Sequence, residues 1–247
     1  MTPEPASDTT GPRDARLLTR VLVLGANGPT GRRTVQQALD RGYRVDALTR
    51  RPETFPLRHE HLQVIGGDAT DPAVINAAVA SCDAVISVIG TKFTRSPVEV
   101  YSVSAGLVVE AMQRHGQRRL IIVTSTALTP MRERGTTSAF ERAFGFFGKK
   151  TFGRTVYDDM ERMEAIVAAS TLDWTIVRPP GLTDEPGTGY AVAETWVDGT
   201  YCARDDLAAM LLDELDEDRC VRRIAAVSTP GLQVKTLQTI KREVLKR

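Results

Sequence analysis

Three glycines, Gly25, Gly28 and Gly31, stand three residues apart in "VLVLGANGPTGRR", between an apolar run and the amphipathic stretch "RRTVQQALDRG". Glycines placed in this way can hold a phosphate. The first permits a tight turn out of a strand, the second lets backbone approach a pyrophosphate, and the third lets the next helix pack close to the strand. The start of that helix offers amide donors that no carbonyl of the helix itself uses. A glycine triplet alone serves equally well in a strand-to-helix turn that binds nothing. The context favours a nucleotide, because a second strand follows about twenty residues on.

At the end of that second strand an acidic residue would accept hydrogen bonds from the adenosine ribose hydroxyls of NAD. The chain has "LTRRPE" there, so Arg50 and Arg51 take the place of the acid. Arginine cannot accept those bonds, but it can grip a 2′-phosphate through two donors at once, and Arg32 or Arg33 could assist from the first helical turn. The bland alternative is solvated surface charge, and position argues against it most firmly for Arg50. The expected cofactor is therefore NADPH (NADP) rather than NADH.

A parallel α/β sheet would position such a turn, and the chain alternates accordingly. Short apolar runs occur at "RVLVLG" (20–25), "YRVDALT" (43–49), "LQVIGGD" (62–68), "DAVISVIG" (83–90), "RLIIVTS" (119–125), "DWTIVRP" (173–179) and "RRIAAVS" (222–228). Their Val and Ile content suits strands buried on both faces. The fold class expected is α/β, a Rossmann-like doubly wound parallel sheet. It forms a single domain over 19–247 with a small substrate-side portion toward the C-terminus, after a disordered tail at 1–18 rich in Pro, Thr and charge.

Two of the intervening helices carry their own punctuation. In "SPVEVYSVSAGLVVEAMQRHG", Ser96 is the expected cap, Pro97 the first helical residue and Glu99 the second half of a capping box, with Val100, Val103, Leu107, Val108 and Met112 on one apolar face and Gly116 as the stop. "TDPAVINAAVA" offers Thr70 or Asp71 as cap before Pro72. Residues 131–156 break the rhythm, interleaving Phe140, Phe144, Phe146 and Phe147 with glycine and positive charge. They read either as a mobile flap over a site or as an insertion whose aromatics pack on the core.

Composition narrows the partners. The 32 basic and 31 acidic residues leave a formal charge of +1, so no global field draws the chain to nucleic acid or to a membrane. The expected partner is a small-molecule substrate, and the expected assembly a monomer or small homo-oligomer. Cys82, Cys202 and Cys220, with His59, His61 and His115, show no metal-ligand spacing, so no metal is expected and the setting reads as a reducing cytoplasm. The N-terminal residues lack the apolar core of a signal peptide, and no stretch approaches the ~20 apolar residues of a membrane span. The expected location is cytoplasmic.

The segments "GANGPTG", "TRR", "GDATD", "VIGTK", "VTSTA" and "DWTIVRPPGLTD", in that order between about Arg20 and Ser228, resemble the NmrA-like group of atypical short-chain dehydrogenases/reductases. Within that family the pattern is most similar to its flavin reductases of the biliverdin reductase B type. The resemblance implies that Gly25, Asn27, Gly28, Pro29, Thr30 and Gly31 bind the pyrophosphate, and that Arg50 and Arg51 bind the 2′-phosphate. It further implies that Asp68 and Ala69 lie at the adenine and that Gly90, Thr91 and Lys92 pass the nicotinamide ribose. Ser125 matches the family's active-site serine, at the strand end where ligands bind on general grounds. Thr126, Tyr157, Pro180 and Gly181 then fall in the substrate pocket.

Two departures bear on the chemistry. Ordinary short-chain dehydrogenases use Tyr and Lys spaced as YxxxK, the lysine lowering the tyrosine pKa, whereas Tyr157 here is followed at that spacing by Glu161. Gly181 stands where the similar flavin reductases carry a pocket histidine, which predicts a roomier and less polar pocket. The leading expectation is an NADPH-dependent reductase acting on a planar conjugated acceptor such as a flavin or quinone. The alternatives are an NADP(H)-binding redox sensor without turnover, or an epimerase- or dehydratase-like enzyme of the same fold.

Overall fold

The apolar run Arg20–Leu24 forms β1, and its residues Val21 to Leu24 are wholly removed from solvent. Burial on both faces is what an uninterrupted Val/Leu run demands, and it puts β1 in the middle of a sheet. A computed structural model describes residues 20–94, 96–130, 133 and 154–232. The chain continues through α1 (Pro29–Asp40), β2 (Arg44–Thr49), β3 (Leu62–Gly66), α2 (Pro72–Val79), β4 (Ala84–Ser87), α3 (Val100–His115) and β5 (Arg119–Val123). Then come α4 (Arg154–Ala168), β6 (Asp173–Arg178), β7 (Gly181–Thr183), β8 (Ala191–Ala193), β9 (Tyr201–Ala203), α5 (Arg204–Glu217) and β10 (Arg223–Ser228).

The main sheet runs β3-β2-β1-β4-β5-β6-β10-β8, parallel except for β8, which lies antiparallel along β10 at the edge. β7 and β9 form a separate parallel ribbon. One face of the sheet is covered by α1 and α5, whose Val35, Leu39, Leu207 and Leu211 are buried with Val21, Val45 and Ile121. The other is covered by α2, α3 and α4, which pack Ile75, Tyr101, Met112, Met163 and Val167 against Leu22, Val85 and Ile122. This is the doubly wound α/β architecture expected from the alternating apolar runs.

All seven runs form strands, several of them one to three residues shorter than expected at the carboxyl end. Gly25, Ile89, Gly90, Ser125 and Pro179 consequently lie in loops just beyond the strands. Asp71 caps α2 as expected, its Oδ1 accepting from the amides of Ala73 (2.8 Å) and Val74 (3.4 Å), and Gly116 ends α3 at φ +76°. The start of α3 differs from expectation. It begins at Val100, not Pro97, and neither Ser96 nor Glu99 caps it with a side chain. Asp159, fully buried on α4, takes that role from across the interface. Its Oδ2 accepts from the amides of Tyr101 (2.9 Å) and Ser102 (3.4 Å), and its Oδ1 accepts the Ser102 hydroxyl. The tail at 1–18 and the expected flap at 131–156, except Glu133 and 154–156, lie outside the described residues. No helix among the described residues is long and apolar enough to cross a membrane.

Candidate cofactor and substrate site

The strand order reverses beside β1: the chain runs outward through β2 and β3, then returns to place β4 on the other side of β1. A crevice opens beyond the carboxyl ends at such a reversal, and the glycine turn leaves β1 there. Gly25 has φ +75°, and a Cβ on it would stand 2.8 Å from the Val88 carbonyl oxygen, so side chains are barred on both counts. A Cβ on Gly31 would stand 2.3 Å from the Gly25 oxygen, which shows how closely α1 approaches the strand. Gly28 is the N-cap of α1, its amide bonded to the Gly25 carbonyl at 3.0 Å, and no side chain caps the helix. Bare backbone and a helix start without a side-chain cap fit a pyrophosphate. Pro29 takes the first helical position and Thr30 is buried behind it.

On one side of this crevice, Arg50 and Arg51 are exposed and follow β2 directly. The Arg51 amide donates to Thr49 Oγ1 (3.2 Å) and the chain then makes a 3₁₀ turn at Pro52–Thr54. The two arginines of the first helical turn are engaged elsewhere. Arg32 donates to Asn27, through Nε and Nη2 to Oδ1 (3.0 and 2.7 Å) and through Nε to the carbonyl (3.1 Å). Arg33 faces Asp205 (3.0 Å) and Asp184 (3.3 Å), so its charge is committed to the acids at the start of α5 and after β7. Asp68 Oδ1 accepts from the amide (2.9 Å) and hydroxyl (2.8 Å) of Thr70. These bonds, the one to the amide first, hold its carboxyl below the usual range, with a smaller contribution from the charge of Arg50. Ala69 is half-buried against the core beside it.

At the other end, the loop after β4 carries Gly90, Thr91, Lys92 and Phe93, all exposed. Thr91 donates its amide to the Tyr101 hydroxyl at 3.1 Å, and Thr155 donates its hydroxyl to the Thr94 carbonyl at 2.9 Å, tying the loop to α3 and α4. Burial pushes the Tyr101 phenol above its ordinary pKa, which keeps it a neutral acceptor for that amide. Phe93 is 58% exposed and its ring centroid lies 5.9 Å from that of Tyr157, tilted by 52°.

Ser125 is half-buried at the end of β5 and caps a 3₁₀ turn at Thr126–Leu128. Its Oγ accepts from the Ala127 amide at 3.2 Å and retains its O–H as a donor. The Thr126 amide donates to the Pro179 carbonyl at 3.0 Å, so the serine turn and the double proline form one rim. Gly181 differs from expectation. A Cβ there would stand 3.1 Å from Tyr201 Cδ1, so a tyrosine ring borders the space beside the glycine, which was expected to be open.

Behind that rim lies a network that the sequence reading did not find. Arg178 Nε and Nη2 donate to Glu164 (3.0 and 2.5 Å), Thr124 Oγ1 donates to the same carboxylate (2.6 Å), and Arg178 Nη1 reaches Thr129 (3.4 Å). Both charged side chains are about one-tenth exposed, and together they tie the ends of β5 and β6 to α4. The one sequence signal was an arginine inside a buried strand end, "IVRPP", which needs an acidic partner.

A parallel sheet that reverses at a bare glycine turn defines a Rossmann-type dinucleotide-binding protein. Residues 25–218 match the family described as NAD(P)H-binding, and the chain belongs to that family. Bacillus subtilis has a relative named as the uncharacterized sugar epimerase YhfK, 28% identical over 214 residues that cover 83% of this chain and 91% of its own. A short-chain dehydrogenase/reductase from Veillonella parvula, in complex with NADP, superposes with TM-score 0.73 at 20% identity, covering 87% of this chain and 96% of that one. ChuY, an anaerobillin reductase from Escherichia coli, superposes with TM-score 0.65 at 23% identity over 87% of this chain and all of its own. At these identities the likeness to the two solved structures is one of fold.

Proposed function

We propose that the protein is an NADPH-dependent reductase that delivers hydride to a planar conjugated acceptor, a flavin, a quinone or a related ring system. The observation that carries this reading is the exposed Phe93 ring against Tyr157, beside the Gly90–Lys92 passage. An aromatic face in water beside a dinucleotide crevice suits a flat apolar partner. ChuY, which shares the fold, is named as a reductase of an anaerobillin, and this supports an acceptor of that kind.

In this reading Gly25, Asn27, Gly28, Pro29, Thr30 and Gly31 hold the pyrophosphate, and Arg50 and Arg51 the 2′-phosphate. Asp68 and Ala69 border the adenine, and Gly90, Thr91 and Lys92 border the nicotinamide ribose. Bound NADPH supplies the hydride. Ser125 donates a hydrogen bond to the acceptor and orients it, Thr126, Tyr157 and Pro180 shape the pocket, and solvent provides the proton. A conjugated acceptor spreads the incoming charge over its rings and needs no strong protein acid. That matches Tyr157, whose fourth neighbour is Glu161, so the lysine that activates the usual tyrosine is absent from that spacing. The epimerase designation of the Bacillus relative favours a second reading, but epimerisation needs a base at the substrate, which Tyr157 so placed does not supply.

Absorbance at the reduced-nicotinamide band, followed with NADPH or NADH against flavins, quinones and a linear tetrapyrrole, tests the proposal. The expected result is oxidation with at least one acceptor, faster with NADPH, and a lower rate for Ser125→Ala at unchanged NADPH affinity. Tight NADPH binding without oxidation by any acceptor would overturn it in favour of a redox sensor.

A further inference from the structure

A chain of hydrogen bonds crosses from the glycine turn to the arginines after β2, and its direction is fixed by its first member. The Arg32 guanidinium has donors only, so the Asn27 side chain must turn its oxygen toward it, at 3.0 Å from Nε and 2.7 Å from Nη2. The Asn27 Nδ2 then faces Thr54 and donates to its Oγ1 at 3.1 Å. Having accepted that bond, the Thr54 hydroxyl sends its own proton to the Arg51 carbonyl at 3.1 Å. The turn that carries Thr54 is braced from below as well, because Pro52 sits on β3 where a Cβ on Gly66 would be 2.9 Å from Pro52 Cγ.

Arg32 and Thr54 are exposed and Asn27 only half-buried, so these bonds contribute little to folding. What they do fix is a distance. A nucleotide lying across the crevice presents its pyrophosphate to the glycine turn and its ribose to the end of β2, so both of its charged groups fit only if the two loops keep their spacing. We infer that Thr54 is a positioning residue for cofactor choice: it holds the Arg50–Arg51 backbone at the span that lets those arginines grip an adenosine 2′-phosphate. The inference rests on the NADPH reading above and adds a residue that touches neither phosphate.

Calorimetric titration of the full chain with adenosine 2′,5′-bisphosphate and with 5′-AMP tests it without any turnover. The unmutated protein should prefer the bisphosphate. Thr54→Val, which keeps the shape and removes the hydroxyl, should weaken the bisphosphate about tenfold, near the loss of one well-placed bond to a charged group, and leave 5′-AMP within about twofold. Thr54→Ser should restore the preference. An unchanged preference in Thr54→Val, or an equal loss for both ligands, overturns the role of Thr54 while the NADPH reading stands. No preference in the unmutated protein overturns the NADPH reading itself and the inference with it.

Discussion

Gly181 and Tyr201 face each other in the β7–β9 ribbon, and the tyrosine ring lies close against the place of a side chain on Gly181, with Cδ1 at 3.1 Å and Cε1 at 3.2 Å from a Cβ built there. The backbone at Gly181 is therefore crowded by a residue twenty positions further along the chain. Gly181→His must shift that ring by a few tenths of an ångström and should destabilise the protein by about 1 kcal/mol, the low end of the cost of overpacking. In the double variant with Tyr201→Ala, part of that cost should vanish, because the ring that clashes is gone. Urea midpoints of the two single variants and the double variant decide the matter, and strictly additive losses would refute the steric link.

The buried Glu164–Arg178 pair makes a second expectation. Glu164→Gln leaves the Arg178 charge about one-tenth exposed with no counter-charge, and should cost about 3 kcal/mol or more in denaturant unfolding. Thr124→Val removes a single bond to the same carboxylate and should cost about 1–2 kcal/mol. If the two variants lost the same stability, the pair would be no more than an ordinary hydrogen-bonded cluster.

The contrast between these two sites says what could be read from the chain and what could not. The seven strands of the parallel sheet were legible because burial on both faces writes itself as runs of Val, Ile and Leu, as in β1 and β5. The strands Gly181–Thr183, Ala191–Ala193 and Tyr201–Ala203 were not, since three residues show no period. Asp71 was legible as a cap because its donors are two and three residues away. Asp159 was not, because the amides that it caps lie on another helix, 58 and 57 positions earlier in the chain. Likewise the glycine spacing pointed to a turn, while the partner of Arg178, the ring over Gly181 and the commitment of Arg33 to Asp184 and Asp205 are tertiary contacts with no local signature.

Asp68 predicts a dependence on pH. Its carboxyl is held below the usual range, first by the bond from the Thr70 amide, so the folded protein binds that proton less readily than the unfolded chain does. Stability from this group is therefore full above the ordinary carboxylate pKa of about 4 and is lost as pH falls through the lowered value. Asp68→Asn should be less stable than the unmutated protein at neutral pH, and the gap should close on acidification below about pH 4. Urea midpoints of both proteins from neutral to acid pH measure it, and a constant gap would show that the charge of Asp68 is not what the Thr70 bonds recognise.

Phe93 separates a structural ring from a binding one. At 58% exposed it forgoes much of the burial that would reward a core aromatic, and its one described ring neighbour is Tyr157 at 5.9 Å. If the ring only covers Tyr157 and steadies α4, Phe93→Ala should lower the melting temperature and leave the kinetics alone. If it stacks on the acceptor, the same change should raise the acceptor KM about five- to tenfold, the equivalent of one lost aromatic contact, with NADPH affinity and melting temperature nearly unchanged. Phe93→Trp should preserve or lower that KM, since a larger flat face offers more area to stack upon. We expect the second pattern, because Thr91 to Tyr101 and Thr155 to Thr94 already tie this loop to the helices and leave the ring unneeded as a fastener. A Phe93→Ala protein with reduced melting temperature and unaltered KM for every accepted substrate would remove Phe93 from the acceptor site.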